Sequence, residues 1–154
     1  MANLHYLARG LQLNPTTISR LLRQLDSTMI DDKLSPERFS PREVIAHLAD
    51  FQTVIRFMME TAVKTPGATV PRWHEDQEAI SKNYAAWDLD ESISKFEAER
   101  RETMEFLYQI SEEDLKKTVD YESIRVFSVI DLAILELGHD CYHIEQLTEY
   151  LVQK

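Results

Sequence analysis

An all-α fold, specifically a four-helix bundle with a long middle connection, is predicted by three features of the sequence. The 154 residues include only 3 Gly and 5 Pro, so helix breakers are few. Between them, apolar residues recur at three- and four-residue spacing more often than at two. The breakers that occur bound segments of helical length. A chain of this size withdraws roughly 70% of its unfolded surface from water, so residues 1–154 fold as a single domain without disulfides or structural metal.

The first helix is expected to open at Asn14, with Pro15 behind it as a cap and first-turn pair. Ile18, Leu22, Leu25 and Met29 form its apolar stripe, which ends near Asp31. Ser40-Pro41-Arg42-Glu43 joins a capping box to a first-turn proline, and the helix it starts runs to about Lys64, where Pro66-Gly67 stops it. Residues 65–87 carry Pro66, Gly67, Pro71, Trp73 and Trp87, and read as a long connection with a short helix around 75–84. A third helix spans about Asp88 to Ile110, and Ser111-Glu112-Glu113-Asp114 begins a short helical turn. The fourth helix is opened by Ser128, with Asp131 three residues on, and continues to Leu151.

Composition narrows the function classes. No apolar run reaches the roughly 18 residues of a membrane span, and MANLHYLARG has no export-signal pattern, so a cytoplasmic location is expected. A lone Cys141 agrees with a reducing compartment. Against 17 Lys plus Arg stand 27 Asp plus Glu, a net charge of -10, which argues against a general nucleic-acid partner.

The chemistry sits in the histidines. At about 100° per residue, His47 falls inside the apolar arc of Val44, Leu48, Phe51, Ile55 and Met58. His139 and His143 are four apart, so they project from one helix face with Cβ atoms about 6 Å from each other. That face also carries Leu132 and Tyr150, hence it points inward. A single inward histidine is ordinarily a core residue bonded to a carbonyl. Three on two long helices suit one divalent ion such as Zn, Ni or Fe(II), with positions left open for water or substrate. An ion there acts as a Lewis acid and generates a nucleophile at neutral pH. Glu136 and Gln146 lie on the ligand face and are candidates to orient the outer ring nitrogens. Glu136 is also the candidate general base, its plain alternative being a partner for Lys or Arg. Arg100, among Ile93, Phe96, Met104 and Leu107, is expected to snorkel outward rather than meet Glu136 inside. Because a ligating histidine must be neutral, the site is expected to empty below roughly pH 6.

These residues resemble the DinB/YfiT-like superfamily of small four-helix metalloproteins. The resemblance rests on Ser40-Pro41-Arg42-Glu43-Val44-Ile45-Ala46-His47-Leu48-Ala49-Asp50 and on Gly138-His139-Asp140-Cys141-Tyr142-His143-Ile144-Glu145-Gln146-Leu147, similar to E-V-x-x-H-L-x-D followed by H-D-x-x-H-x-x-Q. It covers about the whole chain. It implies a divalent-metal site of His47, His139 and His143 holding Zn or Ni, and homodimerisation. In some members it implies transfer of a low-molecular-weight thiol to a small-molecule electrophile. Phe39 stands where relatives often have Trp, a departure that touches no catalytic position.

Other readings compete. A zincin protease needs H-E-x-x-H, and the second position here is Asp140, with only eleven residues after His143. Asp140 projects away from the ligand face and is expected either to orient a neighbour or to be solvated. Cys141 is expected to be an inert core thiol. His74 reads as an exposed loop residue. Residues Leu7 to Leu22 resemble a helix-turn-helix, although Gln12 replaces the usual turn glycine. Three functions therefore stand: a metal-dependent thiol transferase or hydrolase, a non-catalytic metal- or ligand-binding bundle, and a DNA-binding regulator.

Overall fold

Pro15 does not open a helix. In a computed structural model describing residues 2–122 and 124–152, α1 (Ala2–Gln24) runs straight through it. A proline inside a helix leaves the carbonyl four residues back without its donor. Here that carbonyl belongs to Leu11, and the Arg100 guanidinium donates to it from across the bundle at 2.8 Å. The cap signal of Asn14 is diverted as well, because its amide donates to Asp140 at 3.2 Å. Since residues 7–22 lie in one unbroken helix, the segment that resembles a helix-turn-helix has no turn. The helix also stops earlier than Asp31, because Asp26 accepts the Thr28 N–H and caps a 3-10 turn over Ser27–Met29.

The other helices follow their sequence signals. Ser40 and Glu43 form a reciprocal capping box at the start of α2 (Pro41–Lys64). The middle connection contains the short α3 (Glu75–Ser81), and α4 (Leu89–Gln109) is capped by Asp88. A second reciprocal box, Ser128 with Asp131, precedes α5 (Val129–Val152). The all-helical reading misses a small sheet: β1 (Thr69–Val70) pairs parallel with β2 (Thr118–Tyr121), which pairs antiparallel with β3 (Arg125–Ser128). Alternation in Thr118-Val119-Asp120-Tyr121, with Val119 fully buried, is the signal for it.

The core forms two apolar clusters. Ile18, Leu22, Ile45, Leu48, Phe96 and Leu147 are in one, and Leu11, Ile55, Met59, Val119 and Leu132 are in the other. Buried polar residues occupy helix positions between them. Arg100 is 3% exposed and does not snorkel. It pairs with Asp140 through two bonds of 2.8 and 2.9 Å, donates from Nε to Gln52 at 2.7 Å and lies 3.2 Å from Glu136. The inward turn has a physical cause: the Leu11 carbonyl, Gln52 and two carboxylates offer acceptors that an apolar stripe alone would not. Asp140 is accordingly buried rather than solvated. All four long helices contribute to this layer. Cys141 lies on the exposed side of α5, contrary to the expectation of a core thiol.

Candidate metal centre

Helical periodicity brings the three inward histidines together. His47 descends from the middle of α2, and His139 and His143 project from one face of α5. The Nε2 atoms of His47 and His139 are 2.8 Å apart, and those of His139 and His143 are 3.1 Å apart. His47 and His143 are buried, and His139 partly so.

The tautomer of His143 follows from its neighbours. Gln146 donates its amide N–H to the Phe39 carbonyl at 3.2 Å, which turns its own oxygen toward His143 Nδ1, 3.0 Å away. Nδ1 therefore carries the proton, and the Nε2 lone pair faces the other two rings. This is the outer-nitrogen partner that the sequence assigns to Gln146. His47 Nδ1, by contrast, is buried without a hydrogen-bond partner among the described residues.

Burial, and the other imidazoles beside it, push His47 down to about 2. His139 is lowered to about 3 by burial, by His143 and by Arg100. His143 is lowered to about 4 by burial, against the raising influence of Gln146 and Asp140. All three are thus neutral at physiological pH, the state in which imidazole binds a cation. Three converging nitrogens cannot satisfy one another with single protons. Ligands about 2.0–2.1 Å from a shared ion stand about 3 Å apart, so the donor set fits a divalent metal.

Glu136 lies elsewhere. It faces Arg100 and is not grouped with the three imidazole nitrogens. Burial outweighs the Arg100 charge and raises its carboxyl to about 7.

The carboxylate near the histidines is Glu75, which the sequence reading passes over. Its Oε1 is 3.8 Å from His47 Nε2, and burial raises its pKa. The spacing of α3 gives no hint of this, because a loop-borne residue is placed by the loop's anchors. Trp73 stacks on His47 with ring centroids 5.5 Å apart and packs on Phe51. Its backbone N–H donates to the Tyr121 hydroxyl, which in turn donates to the Trp73 carbonyl. The unforeseen sheet therefore anchors one end of the roof.

Asp50 anchors the other. Matched in the family motif without a role, it is buried three residues after His47 and accepts from Lys82 Nζ at 2.7 and 2.9 Å and from the Tyr84 hydroxyl at 2.6 Å. Burial and the adjacent carboxylate hold the Tyr84 phenol well above its usual range. Asn83 takes the left-handed conformation that turns Tyr84 inward, φ 52°, one that asparagine tolerates. Asp50→Ala leaves the buried phenol without its acceptor, and a loss of about 2 kcal/mol is expected in urea denaturation, with faster proteolysis of residues 65–87. Unchanged stability and cleavage would show that the connection is held by other contacts.

Comparisons agree with this architecture. The sequence profile of the DinB superfamily matches residues 11–147. YfiT from Bacillus subtilis, described as a probable metal-dependent hydrolase with an unusual four-helix bundle topology, superposes with a TM-score of 0.90 at 14% identity, covering 97% of this chain and 86% of that one. A mycothiol-dependent maleylpyruvate isomerase gives 0.76 at 16% identity over 94% of this chain and 60% of its own. A DinB-like protein of Bacillus subtilis gives 0.62 at 14% identity, over 96% and 91% of the two chains. No curated protein sequence matches this one at a significant level. No described helix is long and apolar enough to cross a membrane. With its helix order, its two motifs and the profile match over most of its length, this chain belongs to the DinB superfamily.

Proposed function

We propose that the protein is a metal-dependent enzyme that activates a thiol or water for attack on a small-molecule electrophile. His47, His139 and His143 would hold one divalent ion, Zn or Ni. The observation that carries the reading is the convergence of three neutral Nε2 atoms from two helices. When bound, the ion supplies Lewis-acid activation of a nucleophile. The chain's own residues do the rest: Gln146 fixes the tautomer of His143, while Phe39, Phe51 and Trp73 pack against the imidazole rings. Glu75 stands 3.8 Å from His47 Nε2, where a carboxylate can receive a proton from an incoming nucleophile. A thiol nucleophile draws support from the mycothiol-dependent neighbour, and hydrolysis from YfiT.

The test is turnover. Metal-loaded protein is offered low-molecular-weight bacterial thiols with an aryl halide, and separately a panel of small esters and amides. Activity lost on chelation and restored by Zn or Ni is expected. Full metal occupancy without turnover in either screen would favour the non-catalytic binding bundle. Cytoplasmic location and a homodimer belong to the same proposal.

Glu136 as general base, the role offered by sequence, is tested by Glu136→Gln. A fall in kcat with metal content intact supports it. Unchanged kcat with greater stability above pH 7 assigns Glu136 to Arg100 alone, because a carboxyl raised to about 7 costs stability as pH rises from the unfolded value toward and past 7.

The lowered histidine pKa values set a pH window. The unfolded chain binds protons at these rings below about 6.5, while the folded chain does not until about 4. Metal-free stability is therefore full above 6.5 and declines as pH falls, by on the order of 2 kcal/mol per histidine at pH 5. Bound metal is expected to persist below pH 6, lower than sequence alone suggests. Dialysis followed by elemental analysis at stepped pH checks this, and release already complete at pH 6 would contradict it.

A further inference from the structure

Beside the histidine cluster lies a cavity of about 370 Å³ that has Trp73, the residue stacked on His47, as one wall. The rest of its lining is apolar for the most part, with Val54 and Phe57 from α2 and Pro71 from the connection. Phe57 is 55% exposed, a large apolar side chain left at the mouth. Two charged residues border the cavity. Glu78 shares Lys82, 2.9 Å away, with Asp50, whereas Arg72 makes no ion pair among the described residues.

These features are complementary. A planar apolar body packs against the indole of Trp73 and the phenyl ring of Phe57, and an anionic group pairs with Arg72. Helical geometry supplies the alignment, since His47, Phe51 and Val54 occupy positions i, i+4 and i+7 on one face of α2. A molecule seated in the cavity thus lies along the same helix face as the histidines, separated from His47 by one indole.

We propose that this cavity is the binding subsite for an aryl-bearing, anionic small molecule, and that Trp73 joins it to the reactive centre. The identity of that molecule as the electrophile rests on the metal-centre reading. Its binding does not, so the two can fail separately.

Binding is measured on metal-free and metal-loaded protein carrying Trp87→Phe, which leaves Trp73 as the single tryptophan. The probes are anilinonaphthalene sulfonate and its neutral counterpart phenylnaphthylamine, read by energy transfer from the indole. Saturable binding at one site is expected in both forms of the protein. Phe57→Glu, at an exposed position, should weaken both probes at least about tenfold with metal content unchanged. Arg72→Gln should weaken the sulfonate several-fold and leave the neutral probe unaffected.

A second apolar cavity, of about 350 Å³, lies against Leu7, Ala8 and Leu107 and shares no residue with the first. Binding that responds to Leu7→Glu and not to Phe57→Glu would overturn the assignment. So would the absence of saturable energy transfer. Equal response of both probes to Arg72→Gln would overturn the anionic preference.

Discussion

Arg100→Ala is expected to lower the unfolding free energy by roughly 3–5 kcal/mol in urea denaturation, a larger loss than that of Asp50→Ala. The side chain is 3% exposed and serves three purposes at once. It neutralises Asp140 through two hydrogen bonds and lies against Glu136, so its removal strands the buried Asp140 carboxylate and takes away the cation beside Glu136. It also donates to the Leu11 carbonyl, which Pro15 leaves without a helical donor. A buried charge with its partner deleted costs more than the intact pair contributes, because desolvation is no longer offset. Replacing the set together, Arg100→Met with Glu136→Leu and Asp140→Leu, should therefore recover most of the loss. A change below about 1 kcal/mol in the single variant would mean that water or local rearrangement serves the carboxylates instead.

That arginine also marks where sequence reasoning stops. Periodicity places Arg100 on an apolar stripe, and the usual course of a long cation is to reach for solvent. What reverses it is tertiary: Pro15, inside the first helix, lacks an N–H and so leaves an acceptor facing the core. Asn14-Pro15 reads as a helix start by local chemistry, and only the arrival of Arg100 and Asp140 from other helices makes it a helix interior. The capping boxes at Ser40 and Ser128 are legible because both partners lie within one helical turn of each other. The histidine cluster is legible for a similar reason, since each ring's direction follows from the phase of a long helix. Gln146 inherits that legibility. Glu75 and Trp73 do not, because their placement depends on the Asp50 clasp and on a strand pairing between residues far apart in the chain, Thr69 with Asp120.

The second large effect concerns the metal. His139 Nε2 is the shared neighbour of the other two ring nitrogens, so His139→Ala removes the centre of the cluster, and His47→Ala removes the one imidazole contributed by α2. Two imidazoles remaining on a single helix or split between two hold a divalent ion weakly. Occupancy is expected to fall from near one per chain to background in either variant. Folding should survive, because the apolar clusters and the Arg100 layer remain in place. Gln146→Ala is expected to fall between, weakening affinity by roughly tenfold to a hundredfold through a freed His143 ring.

Elemental analysis of protein purified without chelator, beside His47→Ala and His139→Ala and with helicity checked by circular dichroism, tests the centre most directly. Near-stoichiometric Zn, Ni or another divalent metal is expected in the parent chain and none in the folded variants. A parent protein that holds no metal and takes up none when offered it, or variants that retain it in full, would contradict a three-histidine metal centre.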